Sequence, residues 1–191
     1  MAKPFRRFVP RLETFDERVL PSVTTHYTAA DGVLVVKGDA TADVIAITDT
    51  GKGDAGAVTV FDHGVAVFTS PGLVTQIMVV TYGGADVLDY RLTGDLTTTR
   101  AVTADLGAGN DSFTANLDGQ TLAANLRIQA LGRAGKDTLT LNANNVTVGA
   151  GTWLTVNLRG GMGSDAVKFN YTPNLVDPTA VVSLTADQKI R

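Results

Sequence analysis

The chain alternates apolar and polar residues over short stretches, and this is the period of a β-strand. Ile128 and Ala130, for example, are apolar and flank the polar Gln129. Stretches of this kind recur along most of the chain and are separated by turns rich in Gly, Asp and Asn. The pattern predicts many short strands, each with one face directed inward.

Four aspartates that follow glycine-rich turns place these stretches in register. They are Asp86, Asp111, Asp137 and Asp165, spaced 25, 26 and 28 residues apart. The residues nine and seven positions before each aspartate, and two and four positions after it, are all apolar. These residues are Ile77, Val79, Leu88 and Tyr90; Val102, Ala104, Phe113 and Ala115; Ile128, Ala130, Leu139 and Leu141; and Val156, Leu158, Val167 and Phe169. The same register appears around Asp43, so the chain contains an internal repeat.

A repeat of this length predicts an all-β fold, a right-handed parallel β-solenoid with about 25–28 residues per coil. A third short strand in each coil is expected at stretches such as 120–123 and 145–148. We assign the solenoid to residues 30–191, with 180–185 as a last strand. An antiparallel sandwich is the competing fold, which the fixed period disfavours. Residues 50–74 break the pattern and fit either a coil with a degenerate turn or a hairpin around Asp62, His63 and Gly64.

The composition supports this fold and restricts the possible functions. Seventeen of the 19 acidic residues are Asp, a turn former, and the two Glu lie at positions 13 and 17. The net charge of −3 disfavours nucleic-acid binding. No apolar run is long enough for a membrane-spanning helix. The absence of cysteine excludes disulfides, thiolate metal sites and thiol catalysis.

Residues 1–24 form a segment of different composition, with five basic residues and both Glu. The stretch R-L-E-T-F-D-E-R-V-L-P-S, residues 11–22, resembles an N-terminal segment found in exported and surface proteins of planctomycete bacteria. It matches that pattern at Leu12, Glu13, Glu17, Arg18, Leu20, Pro21 and Ser22, and departs from it around Phe15 and Asp16. The resemblance implies a secreted or cell-surface protein. The alternative is a short amphipathic helix over residues 10–20.

The glycine-rich turns suggest a ligand. Residues 160–168, G-G-M-G-S-D-A-V-K, match the G-G-x-G-x-D-x-U-x nonapeptide, and weaker copies end at the other aspartates. The chain therefore resembles the repeats-in-toxin, or hemolysin-type, calcium-binding proteins over residues 76–170. That resemblance implies Ca²⁺ as the cofactor, held by aspartate carboxylates and the carbonyls of nearby glycines. The implied ligand residues are Gly84, Asp86, Gly107, Gly109, Asp111, Gly135, Asp137, Gly161, Gly163 and Asp165.

The chemistry of calcium fits such turns. The ion takes six to eight oxygen ligands, and glycine allows the positive φ that makes carbonyls converge. In a solenoid, successive turns stack, so an aspartate from each of two turns can share one ion. We rank Asp137 with Asp165 as the first candidate pair and Asp86 with Asp111 as the second, and Lys136 would weaken the first. Unlike the family, this chain has one such turn per long coil, so any ions lie along one edge.

Other interpretations of the same residues remain open. Gly-x-Asp turns form without metal, because Asp accepts hydrogen bonds from backbone amides. The solenoid would then be a structural module, or a surface that binds a cell-surface glycan or protein. An enzyme acting on polysaccharides is a further alternative, with Asp86, Asp89 and Asp105 as candidate carboxylates. Asp86 and Asp89 are three residues apart on a strand and should face opposite sides, so we expect no catalysis.

Overall fold

The protein is an all-β solenoid built from two sheets of stacked strands. A computed structural model describes residues 22–187. Its strands are β1 (Thr24–Thr28), β2 (Val33–Lys37), β3 (Val44–Asp49), β4 (Val58–Asp62), β5 (Val65–Thr69), β6 (Gln76–Val80), β7 (Val87–Leu92), β8 (Arg100–Asp105), β9 (Ser112–Asn116), β10 (Thr121–Leu122), β11 (Leu126–Ala134), β12 (Thr138–Val148), β13 (Trp153–Met162), β14 (Ala166–Val176) and β15 (Val181–Asp187).

The coils alternate between the two sheets. Sheet A has the strand order β1-β2-β6-β8-β11-β13-β15. Sheet B has the order β10-β12-β9-β7-β3-β4-β5, and β14 also pairs with β12. From β2 onward the sheet A pairs are parallel, as are the sheet B pairs that join β3, β7, β9, β12 and β14. The predicted parallel solenoid is therefore confirmed.

The core lies between the sheets and consists of the predicted inward columns. In sheet A, Ile128 pairs with Val102 on one side and Val156 on the other, and all three are buried. In sheet B, Leu139 pairs with Phe113 and is also fully buried. Alternation therefore places like residues on top of one another in successive coils. The third short strand is also present, because β10 pairs with Thr147 and Val148 at the end of β12.

The N-terminal end departs from the parallel pattern and settles the structure of residues 50–74. Strands β4 and β5 form an antiparallel hairpin whose turn contains His63 and Gly64, and β4 also pairs antiparallel with β3. The stretch is therefore the hairpin and not a coil. Its insertion explains why Asp43 lies 43 residues before Asp86, whereas the later aspartates are 25 to 28 residues apart.

At the two ends of the chain, only some of the predictions fall on residues that the structure describes. Strand β1 begins at Thr24 and pairs antiparallel with β2. The first strand therefore begins at the last residue of the predicted leader, which covers residues 1–24. The rest of that leader, up to residue 21, lies outside the described residues. The predicted last strand is confirmed as β15. Among residues 22–187 there is no helical segment of the length and hydropathy needed to span a membrane.

Candidate metal centre

The five aligned aspartates form a ladder along one edge of the solenoid. The backbone N–H of Asp86 donates to Oδ1 of Asp111 at 2.9 Å, and the N–H of Asp111 donates to Oδ1 of Asp137 at 3.0 Å. The same bond joins Asp43 to Asp86 and Asp137 to Asp165. The carboxylates of the last four aspartates therefore each accept a hydrogen bond from the preceding coil, whereas Asp43 Oδ2 accepts one from the N–H of Asp39 in its own turn. The repeat that the sequence predicts brings all these side chains together.

The second oxygen of most of these carboxylates has no hydrogen-bond partner. Oδ2 of Asp86, Asp111 and Asp137, and Oδ1 of Asp43, are buried and unpartnered. The four side chains are nearly inaccessible, at 0 to 2 % exposure. A buried carboxylate oxygen without a donor is costly, because ionisation there is not compensated. These oxygens are therefore the least satisfied acceptors of the acidic ladder.

Burial raises the pKa of three of these carboxyls. The pKa of Asp111 is raised to about 6, chiefly by loss of solvent and further by the charges of Asp86 and Asp137. The N–H of Asp86 that it accepts acts in the opposite direction. Burial is also the largest cause that raises the pKa of Asp86 and of Asp137. A positive charge near the ladder would favour the ionised carboxylates and so lower these pKa values, against the effects of burial and of the neighbouring negative charges.

Glycines two positions before each of the last four aspartates form the wall of the turn. Gly84, Gly109, Gly135 and Gly163 have φ of 123°, 151°, 143° and 146°. The carbonyl oxygen of Gly109 lies where a Cβ of Gly135 would be, and the oxygen of Gly135 has the same relation to Gly163. Only glycine allows this approach, which brings the backbone carbonyl of one turn against the glycine of the next turn.

A second column, four positions before each aspartate, also has positive φ. It holds Tyr82 at 65°, Gly107 at 86°, Arg133 at 78° and Gly161 at 98°. The family pattern has glycine here, and Tyr82 and Arg133 keep its backbone conformation without being glycine. The degenerate copies therefore retain the turn geometry of the complete motif at 160–165, although their sequences depart from it.

The last turn contains the best sequence match but the least enclosed carboxylate. Asp165 is only partly buried, whereas Asp111 and Asp137 are buried, because among the described residues no coil stacks beyond it. Lys136 is exposed and its backbone N–H donates to Oδ1 of Asn110. By burial, Asp43 with Asp86, Asp86 with Asp111 and Asp111 with Asp137 are all more enclosed than Asp137 with Asp165. The sequence ranked Asp137 with Asp165 first because the match to a motif says nothing about what covers it.

The donors present are of the type that calcium prefers. Anionic oxygens come from the unpartnered atoms of Asp86, Asp111 and Asp137, and neutral ones from the stacked carbonyls of Gly109 and Gly135. Among residues 22–187, no three acidic or histidine side chains cluster as metal ligands. Backbone carbonyls would have to supply most of the shell. The oxygen donors of these residues fit Ca²⁺. The ion would supply positive charge that neutralises the carboxylates.

A second buried polar cluster was not predicted. Arg100 is fully buried and binds Asp49 through two contacts, Nε to Oδ2 at 2.6 Å and Nη2 to Oδ1 at 3.0 Å. The hydroxyl of Tyr90 also donates to Asp49 Oδ2, at 2.9 Å. The sequence did contain a signal, because Arg100 occupies the inward column that holds Leu126 and Leu154 in later coils. This cluster joins sheet A to sheet B through the core.

The residues considered for catalysis do not come together. Asp86 is buried, whereas Asp89 is exposed on the outer face of β7, as the strand period predicts. Asp105 accepts two hydrogen bonds from Arg133 on the outer face of sheet A. The three carboxylates therefore occupy three different environments.

Comparisons with known proteins give no independent indication of function: no family model, no curated protein and no solved structure matches the chain.

Proposed function

We propose that the protein is a structural module of the cell surface or extracellular space whose acidic ladder binds Ca²⁺ and is stabilised by it. One observation supports this more than any other. Buried carboxylate oxygens without partners recur at the same position of successive coils, at Asp43, Asp86, Asp111 and Asp137. Their stacking places like charges close together, and a cation between them would remove that repulsion.

The extracellular part of the proposal comes from the affinity range of such sites and from the leader. Extracellular calcium modules bind at about 10⁻⁴ to 10⁻³ M. The resemblance of residues 11–22 to planctomycete export segments is compatible with such an environment. In this proposal the ion acts by linkage, since it binds the folded turns and not the unfolded chain. The stabilisation is about 2.7 kcal/mol when calcium exceeds its dissociation constant a hundredfold.

A metal-free ladder is the second candidate, and a specific observation favours it. In the last four aspartates, one carboxylate oxygen already accepts a hydrogen bond from a backbone N–H of the neighbouring coil, as Asp137 Oδ1 does from Asp111. The raised pKa of Asp111, about 6, would allow it to carry a proton under mildly acidic conditions. Protonation would then replace the cation as the means of reducing repulsion.

The melting temperature, measured with a chelator and with about 10 mM CaCl₂, separates these candidates. Since 10 mM is about 10 to 100 times a dissociation constant of 10⁻³ to 10⁻⁴ M, we expect calcium to raise the midpoint by roughly 3–10 °C, from about 2–4 °C per kcal/mol for a chain of this size. In Asp111→Asn, which loses the most strongly shifted carboxylate, the calcium response should shrink by half or more. Asp89→Asn is the matched control, because Asp89 lies exposed on the strand after Asp86.

Two results would contradict the calcium proposal. One is a melting temperature of the unmodified protein that is the same in chelator and in about 10 mM CaCl₂, which would leave the metal-free ladder. The other is an equal response of Asp111→Asn and the unmodified protein, which would place the ion elsewhere. Isothermal titration of the folded protein with CaCl₂ gives the number of ions independently of stability.

A further inference from the structure

Among the residues that the structure describes, no strand covers β15 at the C-terminal end of the solenoid. Strand β15 pairs with β13, and no other strand of residues 22–187 pairs with β15. Val182 and Leu184 continue the inward columns of Leu154 and Val156, but they are only partly buried, whereas Leu154 and Val156 are fully buried. Because Val182 and Leu184 are only partly covered, this end of the core leaves apolar surface exposed to water. The described part of the chain provides nothing that covers it.

The backbone of β15 is also available for pairing. Val181 N–H donates to Thr152 O at 3.0 Å, so it points toward β13. Alternate residues of a parallel strand point to opposite sides, which directs the N–H and C=O groups of Val182, Leu184 and Ala186 to the open edge. The strand reads V-V-S-L-T-A-D, with one charge and no Pro or Gly. Such an edge is a template for another strand.

The two ends of the solenoid differ. At the N-terminal end, β1 covers β2 and reads T-T-H-Y-T, so the edge of sheet A there is largely polar. In sheet B the hairpin β4–β5 covers β3. A second copy stacked head to tail would place the apolar edge of β15 against the polar β1. Contact between two C-terminal ends instead joins two surfaces of the same kind.

We propose that a second copy of this chain docks on the C-terminal end, with β15 of the two subunits paired antiparallel across a two-fold axis. Full overlap of the strand centres the axis on Leu184, whose free N–H and C=O then bond to those of its counterpart. Val182 faces Ala186 of the partner subunit, and Val181 faces Asp187 of the partner subunit. Asp187 is the one charged residue of β15, so no like charges meet between the paired strands, and the two sheets A become one continuous sheet over one core.

Strand β14 presents more apolar surface at the same end. Leu175 is 61 % exposed, and the buried hydroxyl oxygen of Tyr171 has no hydrogen-bond partner. Pro173 lacks an N–H and interrupts the edge of β14 as a hydrogen-bonding strand. In the dimer β14 therefore contributes packing, and β15 contributes the pairing. Of the acidic ladder residues, only Asp165 lies near this contact. The dimer therefore does not require calcium.

The test is the mass of the full chain in solution, measured by sedimentation across a wide concentration range in the presence of a chelator. We expect a dimer. Val181→Asp places two carboxylates opposite each other at both symmetry-related pairs and should weaken the dimer on the order of tenfold. Val181→Lys places opposite charges there and should preserve or strengthen it. Val65→Asp is the matched control, since Val65 is 66 % exposed at the other end and should not change the mass.

A cross-link tests the register directly. The chain has no cysteine, so a mixture of Ser183→Cys and Thr185→Cys proteins can form only an intermolecular disulfide. These two residues face each other in the proposed register at about 4.5 Å between Cα atoms, within the range for a disulfide. Cross-linking of the mixture well above that of either protein alone is expected.

Three results would overturn the proposal. The first is a monomer at every concentration. The second is an equal effect of Val181→Asp and Val181→Lys, which would contradict the antiparallel register. The third is a monomer that becomes a dimer only when residues 1–21 are removed, because the chain's own N-terminal segment would then be the occupant of this surface. None of these results bears on calcium binding, which the effect of calcium on the melting temperature tests separately.

Discussion

The backbone N–H of Asp111 donates to Oδ1 of Asp137 at 3.0 Å, across 26 residues of sequence. Asp111 in turn accepts the N–H of Asp86 through its own Oδ1. Asp86, Asp111 and Asp137 therefore each donate to the next coil and accept from the previous one. The ladder links the turns of the solenoid independently of any ion, and each proposal for this edge of the protein depends on it.

Replacing Asp137 by Ala removes the acceptor of this bond and leaves the buried N–H of Asp111 unsatisfied. The expected loss is about 1–3 kcal/mol in the free energy of unfolding, measured by urea denaturation. Asp137→Asn keeps an acceptor oxygen and should lose less. Asp89→Ala, at an exposed position, should change the free energy by no more than about 0.5 kcal/mol. Equal losses for Ala and Asn at position 137 would contradict the role of the hydrogen bond.

The raised pKa of Asp111, about 6, predicts how the metal-free protein responds to pH. A carboxyl with a pKa above its unfolded value holds its proton more tightly when folded. The folded state is then favoured below the unfolded pKa of about 3.9, and this advantage is lost as pH rises to about 6. In chelator, this contribution should lower the melting temperature between about pH 4 and pH 7, as Asp86 and Asp137 also should, because their pKa is raised by burial.

The control for the pH dependence is Asp111→Asn, which cannot titrate. Its melting temperature should vary less between about pH 4 and pH 7 than that of the unmodified protein. Calcium, if it binds as proposed, should flatten the curve of the unmodified protein in the same range. A curve that rises with pH in both proteins alike would contradict the assignment to Asp111.

The stacked glycines predict a contrast between two Gly→Ala changes. A Cβ on Gly135 would meet the carbonyl oxygen of Gly109, and its φ of 143° is unfavourable for alanine. We expect Gly135→Ala to cost about 1–3 kcal/mol from backbone strain and a similar amount from the steric clash. Gly119 also has positive φ, at 74°, but a Cβ there meets nothing within 4 Å. Gly119→Ala should therefore cost only about 1 kcal/mol by thermal or urea unfolding.

If both substitutions cost the same, the close approach of the Gly109 carbonyl has no energetic consequence. The glycine column would then be required for its φ alone. That result would also weaken the calcium proposal, because the proposal takes its neutral oxygen ligands from the carbonyls of these stacked glycines.

The buried pair of Arg100 and Asp49 predicts a non-additive double mutant. Arg100→Met leaves Asp49 buried without its cation and should cost about 3–5 kcal/mol. Adding Asp49→Asn removes the uncompensated charge while keeping an acceptor for Tyr90, so the double variant should be more stable than Arg100→Met alone. Urea unfolding of Arg100→Met, Asp49→Asn and the double variant measures this coupling, and simple additivity of the two single changes would contradict it.

The sequence alone predicts the solenoid, because the strand period and the repeat are local properties that a list of residues contains. Alternation fixes which side of each strand faces inward, and the period of 25 to 28 residues fixes which residues stack. The column of Ile128, Val102 and Val156 follows directly from that reasoning. The position of the aspartates in one column follows in the same way.

Only the tertiary structure determines the rest, since it depends on contacts between distant coils. Residues 50–74 fit a coil or a hairpin equally well in sequence, and pairing with β3 selects the hairpin. The buried pair of Arg100 and Asp49 was not predicted, because only the stacking of coils brings these two residues within hydrogen-bond distance. The enclosure of Asp111 and the exposure of the last turn are decided by which coils lie above them. Burial is a property of neighbours, and the local pattern of a chain does not specify how many neighbours a given turn receives.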